Sequence, residues 1–486
     1  MLLFFNIFFL FIIVSIIGFS KNEKMIFAET LSRHGARAPL KLNEEGLDIF
    51  GSKWTTPGEL TPIGKRMEYI LGLINRNRYI TKYKLISEKY NPHELIVYSS
   101  DINRTLESMT SQIQGFYPMS PDIGDKISVD QYNASFPPIK VDMKDIEDEM
   151  KSLNDSALPN YMTVIPIHFI TLKNTTPGCA ERVKYFNEKN TKEIPILKNF
   201  IEEFHKNYSE KLNNFYGKPK ESKFDFSFIN AIFDALMADY TEGRNISSYF
   251  NTNEIEENDF FSRCIDVLSM NFRDYIFGDN NNEVILFYNS PIMREMINYM
   301  ERRIEDDIKG EPSLKNYSDY SRPKMVLILG HDTTLSAHQL FFIKFFDLSL
   351  ESYEYPTYSS QISYEITRED DDKFTSEKKL SDYKVSYYFN NNLIFNMTFD
   401  RFKEKIEKVI WNSEQMNNFC SIDKNVENNE ENESLDTGLF LIITLGFIIL
   451  LLVIIIIILI IKLTRRKDDL YNSSLLNNQK ILKDDD

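Results

Sequence analysis

The stretch KMVLILG, Lys324 to Gly330, carries an unbroken apolar run after its lysine and passes at once into HDTT. Successive side chains of a strand point to opposite faces, so a continuous apolar run predicts a strand buried on both sides, as in a sheet covered by helices. A second β-rich run, MIFAETL from Met25 to Leu31, leads straight into SRHGARAP, Ser32 to Pro39. Two strands far apart in the chain, each emptying into a histidine-bearing turn, point to an α/β core.

Further β-rich runs cover Glu94 to Tyr98, Gln361 to Thr367 and Tyr383 to Phe389. Helical periodicity is carried by Ile63 to Arg76, after the start signal Thr61-Pro62, by Leu106 to Gln114 and by Pro291 to Arg303. Alternating strands and helices fit an α/β fold with a helix-covered sheet. The middle differs: Ile196 to Phe215 and Phe226 to Tyr240 are long amphipathic patterns with no convincing strand between or beside them. The expected organisation is therefore a core in two parts, residues 21–150 and 278–420, with an inserted α-helical cap over 151–277. No internal repeat is present.

The chain ends bear on topology. Residues 1–20, MLLFFNIFFLFIIVSIIGFS, are almost wholly apolar, with Gly18 and Ser20 where a signal peptidase cuts, and predict a secretory signal peptide. They lack a charged opening region, which leaves an uncleaved anchor as the alternative. Residues 438–461 form an uncharged run, long enough for the ~30 Å hydrocarbon core, and KLTRRK follows it; this predicts a single transmembrane helix of type I topology. Residues 421–437, acidic and Asn-rich, read as a solvated stalk, and 462–486 as a cytosolic tail in which YNSSLL only loosely resembles a sorting signal. The catalytic part would then lie in a lumen or outside the cell, with lysosome, food vacuole and plasma membrane all open. Eight sequons agree with that placement: Asn133, Asn154, Asn174, Asn207, Asn245, Asn316, Asn396 and Asn432. The 486 residues, net charge of -16 and 42% hydrophobic content suffice for one large or two medium folded domains. No nucleic-acid partner is expected.

Three turns carry the chemistry. Side chains that follow a strand's carboxyl end are delivered to the edge where α/β sheets bind ligands. SRHGARAP places Arg33, His34 and Arg37 there; LGHDTT places His331 and Asp332; YSSDINRT places Asp101 and Arg104 after the strand HELIVY. Guanidinium groups match phosphate or carboxylate oxygens, so two of them beside a histidine suggest a tetrahedral anion. Taken singly, each turn could equally be a surface salt-bridge cluster.

Together the motifs identify the chain as similar to the histidine acid phosphatase family, of the lysosomal and prostatic type, within the phosphoglycerate-mutase-like superfamily. RHGARAP matches the family's RHG-x-R-x-P, GHDTT its distal HD motif, SSDINRT its S-x-D-x-x-R-T element, and GELTPIGKRMEYILG the helix that follows the first motif. The resemblance implies a mostly parallel sheet core with His34 as nucleophile, forming a phosphohistidine. It implies Arg33, Arg37, Arg104 and His331 around the phosphoryl oxygens and Asp332 as the acid that protonates the leaving alcohol, with no metal and no cofactor. An aspartate of ordinary pKa near ~3.9 holds a proton best in acid surroundings, so an acid optimum is expected. Asn103, also a formal sequon, would fall in the phosphate site, where a glycan is unwelcome. The resemblance further implies a disulfide between Cys179 and Cys420, with Cys264 reduced and buried, and allows a homodimer. Asp101 is expected to orient the Arg104 turn, His168 to make a structural hydrogen bond, and His93, His205 and His338 to be surface or helix residues.

The expected function is a membrane-anchored acid phosphatase hydrolysing phosphomonoesters. The alternatives are an inositol-polyphosphate phosphatase of the phytase-like branch, against which GHDTT and the lack of a strongly basic cap argue, and a non-catalytic phosphate-binding ectodomain, against which the intact His34, Asp332 and arginines argue.

Overall fold

The computed structural model describes residues 23–138, 143–170, 226–244, 265–266, 268–269, 282–310, 322–370 and 378–420. All of them lie in one unit, Met1–Cys420. Its centre is a seven-stranded sheet of order β3-β2-β4-β1-β5-β6-β7. The strands are β1 (Glu23–Arg33), β2 (Leu95–Ser99), β3 (His168–Phe169), β4 (Met325–Gly330), β5 (Gln361–Glu369), β6 (Tyr383–Phe389) and β7 (Asn392–Thr398). The four strands β3, β2, β4 and β1 are mutually parallel, whereas β5, β6 and β7 extend the sheet antiparallel.

The apolar run of β4 is buried at all six positions, as a central strand covered on both faces must be. On one face Ala28, Val97, Leu327 and Leu329 pack under Met109, Ile113 and Phe116 of the helix α2 (Asn103–Phe116). On the other, Phe27, Leu31 and Val326 meet α4 (Asn282–Lys309) and α5 (Asp332–Phe345) through Met293, Met296, Met300, Leu335 and Phe341. Helix α1 (Pro62–Asn75) starts at the expected signal: Thr61 caps it by accepting from Gly64 N at 3.1 Å, and Pro62 stands in its first turn. It continues as a π-helical segment, Arg76–Lys82.

Five elements depart from the sequence reading. Pro291 does not begin a helix but lies inside α4. An interior proline costs roughly 3 kcal/mol, and the helix persists because Val284, Ile285, Met293, Met296 and Met300 are each buried, worth about 1.5–3 kcal/mol apiece. The residues after His331, read as a turn, are the first turn of α5. The strand β3 arises within the segment assigned to the cap: His168 and Phe169 pair in parallel with Tyr98 and Ser99, so the beginning of that segment supplies the sheet's edge. The strand β7 and the helix α6 (Phe399–Glu407) behind it were not anticipated, since NLIFNMT, at the opposite edge, has no fully buried position and shows no regular alternation.

Of the expected cap helices, Phe226 to Tyr240 is present as α3 (Phe226–Thr241), whose Ile232, Phe233 and Leu236 join the same core as α4 and α5. Ile196 to Phe215 lies outside the described residues, as do residues 1–20, the stalk, the run 438–461, the tail, Cys179, Cys264 and His205. Among the described residues no helix is long and apolar enough to cross a membrane. Cys420, which closes α7 (Ser413–Cys420), is buried and disulfide-bonded. The sequon residues Asn154 and Asn396 are exposed.

Candidate active site

The strands β1, β4 and β2 are neighbours and end at one level: Arg33 lies opposite Gly330, and Ser99 opposite Leu329. Two backbone bonds carry that register into the turns, His34 N to Gly330 O at 3.2 Å and Ser100 N to Leu329 O at 3.1 Å. The helices α2 and α5 both start at this edge, and helix N-termini favour anions. Arg33, His34, Arg37, Arg104, His331 and Asp332, scattered in sequence, therefore converge.

His34 is 2% exposed and its Nδ1 lies 2.9 Å from Gly35 O. A carbonyl only accepts, so Nδ1 carries the proton and Nε2 keeps its lone pair. Burial first, then the charges of Arg33 and Arg37, hold the imidazole well below its ordinary pKa. The glycine after it is sterically required: a Cβ on Gly35 would stand 2.4 Å from Gly64 O, and one on Gly64 2.1 Å from Ala36 O, so turn and α1 touch backbone to backbone. Ser108 Oγ of α2 accepts from Gly35 N at 3.1 Å and fixes the turn from the other side.

Arg33 is 1% exposed; its Nη1 donates to Pro356 O at 2.7 Å and its Nη2 pairs with Asp332 Oδ2 at 2.8 Å. Arg37 donates from Nη1 to Ala38 O at 3.0 Å and pairs through Nη2 with Asp234 Oδ1 of α3 at 2.7 Å. Arg104, in the first turn of α2, is half-buried and held below its usual pKa by burial and by the neighbouring Arg37. His331 Nε2 lies 3.0 Å from Ser100 Oγ, and its ring stands 5.4 Å from that of His34. Burial and Arg104 push its pKa down to about 4.

Asp332 accepts from Thr333 N at 2.8 Å and from Tyr355 Oη at 3.1 Å. Burial raises its pKa, but Arg33 and Arg37 outweigh burial and hold the carboxyl below its ordinary value. That direction opposes the protonated aspartate expected for an acid, and its chief cause is the two guanidinium groups beside it.

Other expectations resolve plainly. Asp101 is exposed, and the Arg104 turn is held instead by Thr105 Oγ1, donating to Ser100 O and Ile102 O at 2.8 Å. Asn103 is exposed and donates to Glu59 Oε1 at 3.2 Å. His168 is exposed beside Tyr98 on the sheet edge, and His93 is half-buried before β2. His338 is a helix residue, as expected, but fully buried, with Nδ1 2.7 Å from Asn289 Oδ1 and Nε2 against Tyr364 Oη. The sequence reading missed Asp234, Tyr355 and Tyr358. Asp234 left a signal, one of two carboxylates, with Asp239, among the apolar residues of FDALMADY; the tyrosines left none. A cavity of about 1040 Å³ lies between β2, β3 and α4, but none of the phosphate-binding candidates lines it.

Residues 24–390, more than half of the chain, match the family model described as histidine phosphatase superfamily (branch 2). The chain belongs to that superfamily. Among curated relatives, it is 31% identical to Lysosomal acid phosphatase of Xenopus laevis over 109 residues, 22% of this chain and 24% of that protein. It is 32% identical to human Testicular acid phosphatase over 97 residues, 19% and 22% of the two chains, and 30% identical to human Prostatic acid phosphatase over 97 residues, 20% and 24%. The chain thus spans about a quarter of the length of the curated relatives it matches. Among solved structures, a Hafnia alvei phytase bound to tartrate superposes with a TM-score of 0.50 at 11% identity, covering 83% of this chain and 100% of that one. That likeness shows the histidine phosphatase fold alone.

Proposed function

We propose that this protein is an acid phosphatase hydrolysing phosphomonoesters through a phosphohistidine on His34. The observation that carries the reading is a neutral, buried imidazole with Nδ1 committed to Gly35 O, set among Arg33, Arg37, Arg104 and His331. His34 Nε2 attacks phosphorus as the ester P–O bond breaks, and the four basic side chains meet charge spread over the equatorial oxygens. The leaving alkoxide takes a proton from Asp332. Water then attacks phosphorus, giving its proton to Asp332, as the P–Nε2 bond breaks; inorganic phosphate leaves and the neutral imidazole is restored.

Asp332 acquires its proton through the substrate. A phosphate dianion offsets Arg33 and Arg37, the charges that depress the carboxyl, so Asp332 is easier to protonate in the complex than in the empty site. Falling pH fills it, while His34, with its pKa far below 6.5, stays unprotonated as a nucleophile. Activity therefore rises toward acid pH.

The reading extends to the whole chain. The uncharged run 438–461 with its basic flank supports a single-pass type I anchor, and the signal-like residues 1–20 support a lumenal or extracellular catalytic part, rich in sequons. Cys179 is the proposed disulfide partner of Cys420. Simple monoesters are the proposed substrates; at 11% identity the phytase likeness carries no substrate with it. The test is His34→Ala in the full chain, solubilised in detergent. Loss of p-nitrophenyl phosphate hydrolysis at acid pH, together with loss of acid-labile phosphate trapped on the protein, is expected; full activity in the variant would overturn the mechanism.

A further inference from the structure

The loop before β5 carries Tyr358, a residue 8% exposed whose hydroxyl has no hydrogen-bond partner among the described residues. A buried phenol ordinarily finds a partner, because an unpaired hydroxyl in a low-dielectric interior costs stability that a phenyl ring of the same shape would not. This ring stacks over Arg33, 4.6 Å from Cζ to centroid, and its centroid is 5.9 Å from that of His34. It is not the only open donor here. Nε of Arg33, of Arg37 and of Arg104 are also buried without a partner. The neighbouring Tyr355 differs: its hydroxyl donates to Asp332 at 3.1 Å. Four unused donors gathered at the His34 edge suit an acceptor with several oxygens.

We propose that Tyr358 is a phosphoryl-contacting residue, its hydroxyl donating a hydrogen bond to one of the oxygens that the three arginines surround. The assignment rests on the phosphatase reading of the site. The geometry explains why a hydroxyl is kept where a phenylalanine would pack equally well: the empty site leaves it unpaired and the occupied site pairs it. Burial keeps the phenol above its ordinary pKa, so it remains a donor across the working range. Unlike the arginines it adds no charge, and so it contributes direction to phosphoryl binding rather than attraction from a distance.

The test is Tyr358→Phe in the full chain, with inorganic phosphate and orthovanadate as binding probes and p-nitrophenyl phosphate as substrate. A hydrogen bond to a charged acceptor corresponds to roughly a 10- to 100-fold effect. The variant should lose about that factor in kcat/KM and raise the inhibition constants for phosphate and vanadate by a similar factor. Its Tm without phosphate should equal or exceed that of the parent, because the unpaired hydroxyl is gone, while the upward shift on adding phosphate shrinks. Unchanged kcat/KM and phosphate inhibition would overturn the proposal, and so would a lower phosphate-free Tm, which would assign the hydroxyl to the fold. If the parent chain itself neither binds phosphate nor turns over substrate, it is the phosphatase reading that fails; an active parent with an indistinguishable variant removes Tyr358 alone.

Discussion

Asp234 holds two donors of Arg37 and also accepts from Leu40 N at 2.7 Å, so a carboxylate from α3 aims a guanidinium of the turn after β1. Removing one partner of a partly buried ion pair strands the other and costs stability. Asp234→Asn is thus expected to lower the phosphate-free Tm and, by leaving Arg37 without its anion, to enlarge the stabilisation that added phosphate gives. A thermal melt with and without phosphate checks both signs, and they are opposite to those expected for Tyr358→Phe. Asp332 answers a different measurement. Asp332→Asn should slow hydrolysis of alkyl phosphates by about 10²- to 10⁴-fold, the usual worth of a general acid, and slow p-nitrophenyl phosphate much less, since nitrophenolate leaves without a proton. Equal losses on both substrates would remove Asp332 from the acid role.

Among the elements, the contact between the RHG turn and α1 leaves no room for a side chain. The Cβ of an alanine at position 64 would sit 2.1 Å from Ala36 O, an atom of backbone that cannot rotate away, so α1 or the turn has to move. A displacement of ~1 Å at reacting groups can cost about 10²-fold in rate. Gly64→Ala is accordingly expected to lose activity together with thermal stability, and normal kcat in that variant would show that the turn is held by its strand alone. The strand register explains why such a shift matters. Arg33 is paired on one side to β4 through Gly330 and tied by its backbone N–H to Ser360 O on the other, so nucleophile turn, acid turn and tyrosine loop share one frame.

Over the whole molecule, buried ionisable groups set how stability depends on pH. Glu29 and Glu68 are held near 8 by burial, with Glu295 adding to the first, so both stay protonated in the fold well above their ordinary 4.5. His34, His331 and His338 are held below 6.5, the last near 3, chiefly by burial. Between pH 6.5 and 8 the folded chain binds the protons of two glutamates that the unfolded chain lacks, so stability falls as pH rises. Between 4.5 and 6.5 the unfolded chain gains three histidine protons against those two, so stability falls as pH drops, by about 1.4 kcal/mol per pH unit for the one proton of difference. Asp307, held at about 2 with Arg368 foremost among its hydrogen-bond partners, adds to the loss below 3.8. These groups predict a Tm maximum between pH 6 and 7, above the acid pH at which activity should peak. A Tm that climbs steadily down to pH 4 would contradict the burial of those histidines.

The sequence by itself determined the α/β core and the six residues that meet at its edge. Both are local in origin: a continuous apolar run is legible as a buried strand, and a turn motif keeps its residue types wherever the strand is placed. One helix start, at Thr61-Pro62, was legible for the same reason. The tertiary structure decided that β1, β4 and β2 are adjacent and end level, which turned three separate turns into one site, and that β3 comes from the segment read as cap. It also decided the partners. Asp234 meets Arg37, Tyr355 meets Asp332 and Tyr358 covers Arg33, pairings between residues up to 325 positions apart whose geometry is a property of packed elements and leaves no spacing in the chain. The charge state of Asp332 belongs to the same class, because it follows from burial and from arginines brought close in space.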